Sequence, residues 1–163
     1  MYKKSPPPGV RNNNPLNILR SKSKWLGLNE KENTGKFCVF NSVFFGWRAA
    51  LIIMDITYRK RGWITIKKMI EHWAPYTENP TKSYYSFVGQ YTGCPVNDTL
   101  PTVAMSPALW HRIMVAMARI EVGYIWVSQD WSDSLEDAII DHVKSKYNIE
   151  ITKEVFKLGK NGK

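Results

Sequence analysis

Cysteine and histidine are both scarce in this chain. Cys38 and Cys94 are the only two cysteines, too few for a disulfide framework and without the CxxC spacing of a zinc site; both read as small buried apolar residues. His72, His111 and His142 each stand alone in sequence, so neither a metal centre nor any other cofactor is expected. Long apolar runs are missing too. The longest, AALIIM from Ala49 to Met54, falls well short of the roughly 20 residues that cross a bilayer, and no membrane insertion is expected. The opening MYKKSPPPGV is basic but has no apolar segment behind its charges, unlike a secretory signal. There is also no Gly-rich phosphate loop, no Ser-His-Asp spacing and no nucleic-acid signature.

Acidic residues are the minority charge, with 14 Asp and Glu against 23 Lys and Arg and a net charge of +9. A field of that sign attracts polyanions, and both nucleic acid and the phosphate- and carboxylate-bearing bacterial wall qualify. The basic residues are spread along the chain, apart from YRKRGW and the KLGKNGK tail, and no basic recognition helix is evident, which argues against nucleic acid. A length of 163 residues suits one domain with a real core. We divide it into a proline-rich arm, residues 1–9, and a single domain, residues 10–163.

Punctuation residues place the helices. Residues 12 to 41 are rich in Asn, Ser, Lys and Gly around the alternating run KFCVF, which reads as loop with one or two small strands. From Gly46 to Lys60 apolar residues occupy nearly every angle, predicting a buried helix that stops at Gly62. Thr65 caps a short helix that ends at WAP. Asn79 and Pro80 start a third helix that Gly93 terminates. Ser106 and Pro107 start a fourth, with Leu109, Ile113, Met117 and Ile120 on one stripe. Asp133 and Glu136 form a capping-box-like start to a fifth, and IEITKEVFKL is either a strand or a short helix. The class is mainly α (α+β), a helical domain with a small β-containing lobe.

Candidate chemistry rests on carboxylates, amides and aromatics. Cleaving a glycoside takes a carboxylic acid that keeps its proton near neutral pH, which calls for an apolar setting. Glu121 closes the fourth helix, with Met117, Met114 and Trp110 on its face. The negative end of the helix dipole there also disfavours its charge. Its alternative role is a surface-edge glutamate paired with a Lys or Arg. Glu78, in WAPYTENPT beside Tyr84, is the second catalytic candidate, or else a helix-start carboxylate. Asp55, inside the most apolar helix, is expected to pair with Arg48 or Arg59. The stretch RNNNPLNILR concentrates amides in one turn. Asparagine there serves the turn itself or bonds a sugar, and Asn12, Asn14 and Asn17 are the candidates for the second role. Aromatics reach 13%; most suit a core, while Trp25, Trp73 and Tyr84 are candidates for sugar contact.

RNNNPLNI, WLG, FCVFNSVFFGWRAA and then Thr65 and Ile66 with MIEHWAPYTENPTKSY occur in the order seen in a family of bacteriophage virion structural proteins with prophage and mobile-element relatives in bacteria. The chain resembles that family from about Val10 to Gly123. The resemblance implies a lysozyme-like fold and peptidoglycan hydrolysis of lytic transglycosylase or lysozyme type. Its implied partners are peptidoglycan glycan strands and other virion proteins, and its site of action is the cell wall, reached from the cytoplasm by lysis or an injection apparatus. NPLNI, WLG and F-x-x-F are also similar to bacterial cell-wall glucosaminidases, whose catalytic glutamate lies upstream of those motifs. Here no acid precedes Glu30, and the matching helix-terminal glutamate is Glu121, so the implied site is assembled in permuted chain order. Where the family often has asparagine after the glutamate, this chain has Val122. Two rival functions are a non-catalytic virion or wall-binding module and, with less support, a basic nucleic-acid-binding protein.

Overall fold

The computed structural model describes residues 4–75 and 80–160, with side chains to Lys157. Helices dominate it. In chain order they are α1 (Pro8–Arg11), α2 (Val43–Leu51), α3 (Ile66–Trp73), α4 (Thr81–Thr92), α5 (Pro107–Glu121), α6 (Gln129–Tyr147) and α7 (Glu154–Lys160). Helix α2 runs directly into a π-helical stretch, Ile52–Tyr58, and a short 3₁₀ turn, Tyr124–Trp126, follows α5. Among the described helices none is long and apolar enough to cross a membrane.

The punctuation works largely as read. Thr65 caps α3 by accepting from the Lys68 N–H, and Gly93 closes α4 in the left-handed conformation that a residue without Cβ adopts freely. The IEITKEVFKL tail resolves as helix α7. Helix α6 starts earlier than its Asp133 and Glu136 suggest. Ser128 is the cap and accepts from Trp131 N–H, while Asp133 lies within the first turns and accepts from Gln129 Nε2 at 2.8 Å.

The expected β-containing lobe is a correction. Among the described residues it consists of two isolated bridges, Leu19 with Phe37 and Leu28 with Phe40. A side chain explains why no ladder extends between them. Asn14 Nδ2 donates to the main-chain oxygens of Ile18 and Cys38, both at 3.0 Å, and Asn14 Oδ1 accepts from Ile18 N–H. A buried amide thus occupies backbone groups that strand pairing would have used.

Helix α5 is the axis of the core. Ile113 to Ala118 are all buried, the pattern of a helix enclosed on every side, and α4, α6 and α7 pack on it. Helix α2 packs along α6, where Trp47 Nε1 donates to Trp131 O at 3.1 Å. The Asn-rich turn lies on α2 at Gly46, where a methyl group would overlap the Asn13 carbonyl and stand 2.9 Å from Pro15 Cδ. At Gly9 in α1, a methyl group would stand 2.5 Å from Val122 Cγ1 and 2.8 Å from Asn14 O. The first helical turn is therefore packed against the end of α5.

One carboxylate ties the layers together. Asp55 is 1% exposed. Its Oδ1 accepts from Arg59 Nη2 at 3.1 Å and from Val103 N–H at 3.3 Å, and its Oδ2 accepts from His142 Nε2 and Tyr147 Oη, both at 2.8 Å. Of the two expected partners Arg59 is the one present; Arg48 faces Asp141 at 3.8 Å. Burial pushes the Asp55 pKa up, yet hydrogen bonds from His142 and Tyr147 outweigh it and hold the carboxyl below its usual value. Tyr147 is pushed up to about 12 by burial and by the Asp55 charge.

A lowered folded pKa means that ionised Asp55 stabilises the fold fully above the ordinary carboxylate value of about 3.9. That contribution disappears as pH falls through the lower folded value. Asp55→Ala leaves Arg59 without its buried counter-charge and His142 and Tyr147 without their acceptor, and should cost about 3–5 kcal/mol at neutral pH. Urea unfolding of wild type and variant at pH 7 and pH 3 checks this, and the gap between them should narrow at the lower pH.

Candidate active site

Glu121 emerges where α5 ends. Seven residues upstream Met114 is buried, as are Met117 and Trp110, so the backbone of the helix end is held by the core while the carboxylate reaches its edge. Asn17 Nδ2 donates to Glu121 Oε2 at 3.0 Å and to the Glu121 main-chain oxygen at 3.3 Å. Tyr84 Oη donates to Glu121 Oε1 at 3.1 Å. Both carboxyl oxygens are thus held, by residues 104 and 37 positions upstream. Tyr84 is 2% exposed, and burial together with the Glu121 charge pushes its pKa well above the ordinary tyrosine value. It remains a donor to Glu121 across the whole neutral range.

Backbone geometry explains why the Asn17 amide arrives there. Asn13 and Asn17 have φ of 52° and 53°, in the left-handed region that asparagine tolerates better than most residues. Asn17 N–H bonds Asn14 O at 3.1 Å, closing a turn over the buried Pro15 and Leu16. Val122, in place of the asparagine expected after the glutamate, is 5% exposed and packs toward Gly9. Its side chain serves the α1 to α5 contact.

A groove runs away from Glu121. One cavity of about 320 Å3 is lined by Glu121, Ile120, Asn17, Leu19, His72 and Trp73, among others. A second, about 340 Å3, shares Asn17, Leu19, His72 and Trp73 and continues to Trp25, Tyr58, Thr57 and Ile53. Trp73 is fixed by donating its indole N–H to Leu16 O at 3.0 Å. His72 stacks on Trp63, with ring centroids 3.4 Å apart and planes 9° from parallel. Volumes of this size match small-molecule sites, which span about 300–1,000 Å3. Among the described residues lining the two cavities, Glu121 is the one carboxylate. No group of three or more potential metal ligands occurs among the described residues.

The candidates from sequence divide accordingly. Glu121, Asn17, Trp25 and Trp73 line the groove, and Tyr84 lies beneath it. Asn14 does not face it: at 0% exposure its amide is committed to Ile18 and Cys38. Asn12 is not among the residues lining either cavity; its main-chain oxygen accepts from Phe40 N–H. Glu78 lies outside the described residues. Sequence reading missed Leu19, His72, Ile53, Thr57 and Tyr58. The last three recur at intervals of four and one within IIMDITY, a face that becomes visible only once the helix there is wound with a π-helical repeat.

Replacing Asn17 separates its backbone role from its amide role. Asn17→Ala and Asn17→Gly both remove the donor to Glu121, but alanine pays for a left-handed backbone, so it should be less stable than glycine by about 1 kcal/mol. Denaturant midpoints of the two variants measure this, and equal stabilities would show that the turn relaxes out of the left-handed region.

No family model matches this chain. Over 95 residues it is 38% identical to Protein P5 of Pseudoalteromonas phage PM2, an alignment covering 56% of this chain and 59% of that protein. The chain therefore matches rather more than half the length of its curated relative, and the kinship is to a phage protein.

Proposed function

We propose that the protein is a peptidoglycan-cleaving glycosidase of phage or prophage origin, with Glu121 as the acid. The observation that carries this reading is the position of Glu121, held by Asn17 and Tyr84 and lining a groove to which Trp73, His72 and Trp25 also contribute. Flat aromatic faces with a few fixed polar groups suit the alternating apolar and hydroxyl surfaces of a glycan strand. The lysozyme-like arrangement in permuted order belongs to the same proposal.

One mechanism needs no carboxylate besides Glu121. In an inverting or retaining hydrolase a second carboxylate activates water or attacks the sugar. In this mechanism Glu121, the one carboxylate among the described residues lining the groove, gives its proton to the leaving glycosidic oxygen. The 6-hydroxyl of the same sugar then attacks C1, and the Glu121 carboxylate takes up the hydroxyl proton. The products are a chain with a free 4-hydroxyl and a chain ending in a 1,6-anhydro sugar, with no water consumed. The positive overall charge of +9 draws the protein toward an anionic wall.

The hydrogen bonds on both Glu121 oxygens also favour a second reading, in which the carboxylate is a structural clasp and the groove only binds wall glycan. One digestion distinguishes the two. Purified peptidoglycan is incubated with wild type and with Glu121→Gln, and soluble muropeptides are separated by mass. Wild type should release 1,6-anhydro ends and Glu121→Gln should be slower by at least about 100-fold, the usual contribution of a positioned general acid. Reducing ends in place of anhydro ends would assign a hydrolase. Wall binding without any product from wild type would assign the binding module.

A further inference from the structure

A separate cavity of about 310 Å3 lies between α4, α5, the start of α6 and α7, and it shares no lining residue with the Glu121 groove. Its polar lining comes from Arg112, Arg119 and His111 on α5 and from Ser128, Gln129 and Ser132 at the start of α6, with the Tyr91 ring as a wall. Arg112 and Arg119 are seven residues apart, so they share one face of α5. No carboxylate lines the cavity among the described residues, and the neighbouring Asp133 already accepts from Gln129 Nε2.

Arg119 is held ready rather than neutralised. Its guanidinium lies 4.9 Å from the Tyr91 ring centroid and 4.4 Å from that of Tyr124, a stacked position that fixes the fork of donors. Its Nε is buried and has no hydrogen-bond partner. Among the described residues neither Arg112 nor Arg119 forms an ion pair. A buried donor without an acceptor is costly unless a ligand completes it. The positive end of the α6 dipole adds to the same field.

We propose that this cavity binds a compact oxyanion, a phosphate or carboxylate group carried on a sugar or polyol. The two arginines take the charged oxygens, which guanidinium matches in a bidentate manner. Ser128, Gln129, Ser132 and the Tyr91 face have the chemistry to hold a hydroxylated body, and the space exceeds what a bare anion fills. A concave site of this size does not admit a nucleic-acid duplex. The site is independent of whether Glu121 is catalytic.

Calorimetric titration of the whole chain at low salt tests it, with glycerol 3-phosphate and glucuronate as probes and glycerol and glucose as uncharged controls. At least one anionic probe should bind saturably at millimolar concentration while the controls do not, and the tighter of the two identifies the oxyanion. Arg112→Gln should weaken binding at least about tenfold, the loss expected for one charge-assisted hydrogen bond. Arg119→Lys, which keeps a cation between the two tyrosines, should weaken it similarly by losing the fork. Glu121→Gln should bind as wild type does. Absence of saturation with both anions, or unchanged binding in Arg112→Gln, overturns the proposal.

Discussion

Asp55 is the constraint on which the other elements depend. A single buried carboxylate accepts from Arg59 on its own helix, from the Val103 N–H leading into α5 and from His142 and Tyr147 on α6. Such a group cannot relax locally, because displacing any one element leaves charge or donors unpaired in the core. Arg59 extends the tie by donating to Leu100 O and Pro101 O, and Trp110 Nε1 donates to that same Pro101 oxygen at 2.9 Å. The start of α5 is therefore locked to the centre of the molecule. Helix α5 is 15 residues long and rises about 1.5 Å per residue, so its far end, with Glu121, is set by that lock across about 22 Å. The Asp55 segment is itself π-helical, and its opposite face supplies Ile53, Thr57 and Tyr58 to the groove.

What could be read from sequence was local. Helix ends at Thr65, Gly93 and Pro107 follow from side-chain and backbone chemistry within four residues, and Asp55 with Arg59 follows from the i,i+4 spacing. The rest of the Asp55 cluster was illegible because His142 and Tyr147 lie 87 and 92 residues away. Glu121 stood out because an acid at the end of an apolar helix is unusual in either role. Asn17 and Tyr84, though each a candidate, could not be joined to it, since those contacts span 104 and 37 residues. The KFCVF run carries an honest strand pattern, with Cys38 and Phe40 buried and Phe37 and Val39 less so. It pairs only in isolated bridges because the amide of Asn14, a residue whose individual role no periodicity reveals, occupies the intervening backbone groups.

The asparagine cluster shows how one turn serves two ends. Asn13 and Asn17 accept left-handed backbone, Asn14 substitutes for a ladder, and Asn17 in addition carries its amide to Glu121. These tasks are compatible only because the turn is clamped between α2 at Gly46 and α1 at Gly9, where any side chain would collide. Amide density in RNNNPLNILR is therefore chiefly architectural, and its one direct contribution to the groove is the last asparagine.

Helix geometry also separates the two faces that could meet ligands. Arg119 and Glu121 are two residues apart, about 200° around an α-helix, so the same few residues of α5 direct a cation to one side and a carboxylate to the other. The intervening Ile120 points toward the groove at 39% exposure, while Ala118 and Val122 are buried. A helix enclosed by α4, α6 and α7 has little freedom to rotate, which keeps the two charges from neutralising each other. That separation lets a basic cavity and an acid-bearing groove coexist on one small fold, each with its own electrostatic sign, and it makes substitutions at Arg112 and at Glu121 independent probes of the two.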